Sequence, residues 1–540
     1  MHSTNPSLAA EDFAPWSARR LLILAGLALI LAGLILGDIF AVFILHPNAA
    51  RIGENLLGAT EAVAAGNADA VRQHFQRIGA FLENRGTKVD THVHIIVFGY
   101  LALLLALVQP YVAFRERARR RWAVVFVIGA ALLPVCVFLI PYVGLAGSPL
   151  EGIGWASILA DLGGLLVILA CAAQLAGLWR HFRSSRRAAR SEGLPREKNW
   201  TQQALLAGGT LLVLAGFAHG AWYAAFDREQ HEVQDAAILR AAMSAAAAGN
   251  RAAASAEVGN YGGLQASRAV KIAAHAHVIE FGILAMLLAF IQPWVFLSEK
   301  WKRRWAAILL AGSVLLPLFV LAELWWGLLA GGIADVGGLM VILSLTGMLA
   351  GVLRATGQLD AAAVKPPAPG EPAECAGSAA AMDRAQKLLI VGGLLLTLWG
   401  MSYGLYYALF DEHQTLERIG ERLAASYAHA ARREMPQAHA ALDEYAAAKF
   451  EYVREVDVHS HWSGLAVLLF VLGLMFDRLG FEERRRLALA IVLIAGSFVF
   501  PFGVILQTVS RGALANALAA GGAGVLIAGL AVVAYGFSRD

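Results

Sequence analysis

The sequence has 540 residues, 58% of them hydrophobic and 16% charged, with a formal net charge of +4 and a mean hydropathy of +0.59. A soluble chain carries about a quarter charged residues, so this balance excludes an ordinary soluble globular protein. The small net charge, confined to particular loops, excludes a nucleic-acid footprint. Three cysteines without a Cys-x-x-Cys pair exclude a disulfide framework.

Apolar runs of about 20 residues, enough to cross a hydrocarbon core as a helix, recur along the chain. The polar start, Met1 to Arg20, precedes a run near 21–45 that is long for a signal-peptide core and reads as a retained first span. Further spans are expected near 93–113, 122–145 and 155–179, then 203–226, 276–297, 305–328 and 333–353, then 387–410, 459–476, 487–509 and 516–538. The predicted fold is an all-α polytopic membrane protein of twelve transmembrane helices in three parallel four-helix repeats. Repeat one is 1–182, repeat two 201–354 and repeat three 386–540, joined by linkers 183–200 and 355–385. The second linker holds Pro366, Pro367, Pro369 and Pro372 among many alanines and reads as a flexible tether.

The repeat rests on register. Gly33, Gly216 and Gly400 each fall 59 residues before a histidine, and Gly37, Gly220 and Gly404 follow four residues later. Gly129, Gly312 and Gly496 align, as do Pro134, Pro317 and Pro501. Small residues four apart favour close helix approach in lipid, and the prolines are expected to kink the third span of each repeat.

Basic residues set the orientation. Arg115, Arg117, Arg119, Arg120 and Arg121, then Lys300, Lys302, Arg303 and Arg304, then Arg478, Arg484, Arg485 and Arg486 crowd the loops between second and third spans. The positive-inside rule puts these loops and both termini in the cytoplasm of a bacterial-type inner membrane. The Ala-rich segments of roughly 45 residues after each first span then face outward. Turn signals at Gly66-Asn67, Gly249-Asn250 and Met435-Pro436 predict a helical hairpin in each, a surface suited to a periplasmic protein partner.

Where each segment meets its second span stands a His-x-His pair: His92 and His94, His275 and His277, His459 and His461. The first pair precedes the second by 183 residues, and the second precedes the third by 184. Asp90 and Asp457 stand two residues before their pairs, Ala273 holds that place in repeat two, and Glu280 follows His277. Imidazole and carboxylate together suit copper, zinc or iron, which makes His275, His277, Glu280, Asp90 and Asp457 candidate ligands. Residues two apart on a helix point about 200° away from each other. One histidine of each pair is therefore expected to face its own repeat and the other a neighbour, with three imidazoles converging if the repeats surround an axis. Membrane-interface histidines also serve as plain hydrogen-bonding residues, and that structural reading stands beside the metal one. Among acids within spans, Asp161 and Asp335 share an Ala-Asp-x-Gly-Gly context and suggest a pathway, while Asp38 and Glu323 have no such match. Phosphate-binding, serine-hydrolase and His-Glu-x-x-His motifs are missing from the sequence.

Each repeat resembles the small four-span proteins related to subunit I of the haem-copper oxidases. The likeness is carried by His-x-His-x-x-x-x-Gly, read here from His92 to Gly99 and from His275 to Gly282, and by Gln109-Pro110 and Gln292-Pro293. The third copy departs, with Ala466 for the glycine and Asp477 for the proline. The resemblance implies haem or copper binding in an energy-conserving membrane. It does not imply oxygen reduction, because the His-Pro-Glu segment and adjacent paired histidines of that site do not occur. A low-spin haem needs a second imidazole from another helix; His219 is the deep candidate, and Leu36 and Tyr403 stand at the equivalent places. A bis-histidine haem in every repeat is therefore not expected. The leading expectation is a non-catalytic inner-membrane protein binding metal or haem, serving respiration or metal handling. A transporter with Asp161, Asp335 and Glu280 along its pathway, and a periplasmic sensor or assembly scaffold, are the alternatives.

Overall fold

A computed structural model describes residues 17–143, 155–191, 200–223, 248–356, 383–510 and 512–539, with scattered residues between 224 and 247. The linker expected at 355–385, including Cys375, and the arm leading to Gly249 lie largely outside the described residues. Among those described there is no strand, and twelve helices are long and apolar enough to cross a membrane. The chain is an all-helical, multi-pass membrane protein.

Helix α1 (Ala18–Phe40) starts at Ser17, whose hydroxyl accepts from the Arg20 amide. Five π-helical residues, Ala41–Leu45, join it to α2 (His46–Ala64). Gly66 then takes a φ of +70°, a left-handed turn that costs glycine little, and Asn67 caps α3 (Ala68–Val108) by accepting from the Ala70 amide. Gly249 (φ +72°) and Asn250 start α7 (Arg251–Ile291) in the same way. Before α12 (Met435–Gly473), Arg433 holds the left-handed position, and Pro436 occupies the first turn of the helix. The remaining elements are α4 (Glu116–Val143), α5 (Trp155–Ser191), α6 (Trp200–Trp222), α8 (Glu299–Trp326), α9 (Leu328–Thr356), α10 (Arg384–Phe410), α11 (Glu412–Ala431), α13 (Glu483–Val509) and α14 (Ala513–Arg539).

The centre belongs to α3, α7 and α12. Every residue from Leu101 to Val108, from Phe281 to Ala289 and from Leu465 to Gly473 is buried, as helices apolar on all sides must be. These three helices touch one another, while α5 packs on α6, α9 on α10 and α14 on α1, so the last helix returns to the first. Glycines allow backbone contact between neighbours. A Cβ on Gly129, Gly312 or Gly496 would run into the carbonyl of Gly163, Gly337 or Gly522 on the next helix. Close approach of this kind replaces the hydrophobic drive that helices lack inside lipid. Pro317 and Pro501 lie inside α8 and α13.

At their other ends α3 and α7 tighten into 3₁₀ turns, Gln109–Tyr111 and Gln292–Trp294, each carrying the expected proline. A similar turn, Phe476–Arg478, follows α12 without one, and there the Arg486 guanidinium donates to the Asp477 carbonyl at 2.8 Å. Beyond the histidines, Leu56 and Ile78 pack with Leu442 of α12, and Phe75, Leu423 and Tyr445 surround them.

Candidate functional site

All six histidines of the three pairs are anchored through the same ring atom. Nδ1 of His92, His275 and His459 meets the carbonyl oxygen of Gly33, Gly216 and Gly400, each at 2.8 Å. Nδ1 of His94, His277 and His461 meets the carbonyl one turn back on its own helix, at Asp90 (2.6 Å), Ala273 (2.8 Å) and Asp457 (2.5 Å). A carbonyl can only accept, so Nδ1 carries a proton in each ring, and in the neutral form of the imidazole Nε2 then keeps a lone pair. Metal-bound histidines are oriented by this type of bond on the other nitrogen.

The glycines of the first spans explain how the rings fit. Gly33, Gly216 and Gly400 supply the carbonyls. One turn on, a Cβ at Gly37, Gly220 or Gly404 would fall inside the imidazole of His92, His275 or His459. The four-residue glycine spacing therefore seats a side chain as well as bringing helices together.

The pairs also divide their directions. The first histidine of each pair binds the first span of its own segment, and the second faces the next segment. His277 of α7 and His459 of α12 stack with ring centres 6.3 Å apart and planes 26° from parallel. His94 lies within electrostatic reach of His275, and His461 within reach of His92. The result is three seams, each with two imidazoles from different central helices. His219 adds a third ring at the seam of α3 and α7, 6.3 Å from His275 and edge-on to it. At the matching place Tyr403 instead donates to Glu455.

The acidic candidates lie elsewhere. Asp90 and Asp457 serve His94 and His461 through their backbone carbonyls, which Ala273 does equally well for His277. The Asp457 carboxylate pairs with Arg454 at 3.5 Å, and Asp90 is exposed. Glu280 faces the interior between central helices, interacting with Tyr100 of α3; the Tyr100 hydroxyl lies 4.0 Å from where a Gly464 Cβ would sit. Val89, Val93, Ile272 and Val456, on the same faces of these helices further from the buried core, are 39%, 46%, 46% and 38% exposed. Asp335 lies near Glu323, while Asp161 is exposed on α5, and the two do not share a site. Among the described residues, no three or more His, Cys, Asp or Glu side chains converge on one point. The imidazoles meet in twos across seams, not in a threefold cluster.

The sequence matches no family model and no curated protein.

A two-imidazole donor set has clear chemical limits. Zinc sites use four protein ligands, or three and a water, which a seam does not supply. Haem iron takes four ligands from its own macrocycle and needs only the two axial ones. His277 and His459, on different central helices with ring centres 6.3 Å apart, give their seam that number of nitrogen donors.

Proposed function

We propose that the chain is a non-catalytic haem-binding protein of an energy-conserving inner membrane. In this reading it is built from three copies of one four-helix unit around a shared axis, and the paired imidazoles of adjacent units would hold the haem iron. The observation that supports it best is the common anchoring of six imidazoles by Nδ1, which leaves Nε2 of each neutral ring as the available donor. The resemblance of each unit to relatives of haem-copper oxidase subunit I points the same way. In this reading the outer helical segments face the periplasm, and the arginine-rich loops and both termini face the cytoplasm.

When bound, haem would supply one-electron redox chemistry. The chain's own contribution is to fix the tautomer of each ligand, to set the ring planes through the Gly33, Gly216 and Gly400 carbonyls, and to bury the site among apolar side chains. Side-by-side seams in one bundle suit electron transfer or redox sensing.

The test is an oxidised-minus-reduced absorption spectrum of the purified full chain with elemental analysis for iron, copper and zinc. Haem absorbance that falls in His277→Ala and in His459→Ala supports the reading. Protein with neither haem nor any of these metals refutes it.

A further inference from the structure

The central helices α3, α7 and α12 repeat a second pattern that does not involve their paired histidines. Counted from the first histidine of each pair, the residues three before, one after, five after and eight after fall within an arc of about 80° on the helix surface. These stripes face the other central helices. The hydroxyl of Tyr100, on the stripe of α3, lies 4.0 Å from where a Cβ on Gly464, on the stripe of α12, would sit. Glu280, on the stripe of α7, interacts with the same tyrosine.

Exposure falls along the three stripes in step. Val89, Ile272 and Val456 at the outer end are exposed. At the next level Val93 and Ser460 are exposed and Ala276 is half-buried, and one turn further in Val97, Glu280 and Gly464 are all half-buried. Tyr100, Ile283 and Val467 follow, only 5%, 3% and 8% exposed. A recess therefore runs inward from the outer side between the central helices and stops at these three residues. Its walls are aliphatic apart from Ser460, and Glu280 is the charged residue at its deep end. At the same level Gly464 leaves room, since an added Cβ there would have the Tyr100 hydroxyl alone within 4 Å.

Among the described residues, no hydrogen bond or ion pair engages the Glu280 carboxyl. A carboxylate inside the membrane boundary is costly without a counter-charge. Calcium takes about six or more oxygen ligands, and the stripes offer one carboxyl and two hydroxyls. An ammonium group needs less, because one charge-assisted bond to a carboxylate orients it, and a short alkyl tail gains by contact with aliphatic walls.

We propose that this recess binds a small primary alkylammonium from the outer face, its head on Glu280 beside the Tyr100 hydroxyl and its tail against Val89, Val93, Ile272 and Val456. No paired imidazole takes part, so the proposal does not rest on the haem reading.

The experiment is titration calorimetry of butylammonium chloride into the full-length protein in non-ionic micelles, repeated in the presence of equimolar sodium chloride. A single saturable site is expected, unaffected by sodium. Glu280→Gln should weaken it roughly tenfold to a hundredfold, the loss expected for a charged hydrogen bond. Gly464→Leu, which fills the room beside Tyr100 while keeping the carboxyl, should weaken it as well, and Asp335→Asn, an acid elsewhere in the bundle, should not. Haem absorbance of the same samples should not change in Glu280→Gln, so failure of either reading leaves the other standing. Absence of saturable binding to the wild type, equal binding to Glu280→Gln, or displacement by equimolar sodium overturns the proposal. If Glu280→Gln does not fold, unchanged binding to Gly464→Leu overturns it.

Discussion

His459 of α12 is held between two partners: its Nδ1 meets the Gly400 carbonyl at 2.8 Å, and its ring stacks on His277 at 6.3 Å. The first contact belongs to its own unit and the second to a neighbour. A ring fixed by its backbone bond has little conformational freedom left to lose, the preorganisation that ligand sites need.

The glycine seats give the sharpest structural expectation. Gly220→Ala puts a methyl group where the His275 ring lies, so either the ring leaves the Gly216 carbonyl or α6 moves from α7. A cost of about 1–3 kcal/mol is expected, as for other overpacked interiors. Thermal unfolding in detergent micelles measures it. Gly259→Ala, with nothing within 4 Å of the added carbon, is the control and should be neutral or slightly stabilising.

The two aspartates should separate in function. Asp90→Ala leaves the carbonyl that orients His94, and bound haem should be unchanged. Asp457→Ala also leaves the carbonyl for His461, yet removes the partner of Arg454. It should lower stability by about 1 kcal/mol or less, as for a partly exposed ion pair, whereas Asp90→Ala should not, and thermal unfolding in detergent micelles compares the two.

Lys88 of α3 is fully buried, its ammonium 4.2 Å and 4.5 Å from the ring centres of Phe138 and Tyr142, with the Phe138 carbonyl at 3.4 Å. The rings and the carbonyl are suited to a cation and to nothing negative. Lys88→Met should change stability by about 1 kcal/mol or less, because a neutral chain of similar shape removes the desolvation cost along with the contacts. Lys88→Glu should cost several times that, about 3 kcal/mol or more. Chemical denaturation of the two variants compares them.

Outside the membrane spans, Tyr427 of α11 supplies a pH expectation. Burial, with Tyr445 and Tyr261 nearby, holds its hydroxyl well above the ordinary tyrosine range. The folded value lies above the unfolded one, so the contribution is complete below about pH 10 and declines as pH rises further. Limited proteolysis of the outer helices should accelerate between about pH 10 and pH 12. Tyr427→Phe, which also removes a buried hydroxyl without a hydrogen-bond partner, should weaken that dependence.

How much of this was legible beforehand follows from what each residue does locally. Twelve spans could be read because span length and apolarity are properties of a single helix. The turns at Gly66 and Gly249 were legible because a left-handed turn selects glycine. That the two histidines of a pair point apart follows from helix periodicity alone. Which ring each would meet did not, since it depends on α14 returning to α1 and so bringing His461 to His92. His219 was singled out as the deep second imidazole, and it does approach His275, but the histidines of neighbouring pairs approach one another as well. Asp90 and Asp457 looked like ligands because a sequence cannot distinguish a side-chain oxygen from a backbone one; Ala273, at the same place, was the signal.

The most direct measurement is the haem content of the full-length protein beside that of variants in which the histidines of one seam are replaced. Reduced-minus-oxidised bands of a low-spin, two-imidazole haem are expected, with His277→Ala/His459→Ala losing the haem of its own seam while His94→Ala/His275→Ala loses that of another. Protein that carries no haem, or whose haem survives replacement of all six histidines, would contradict it.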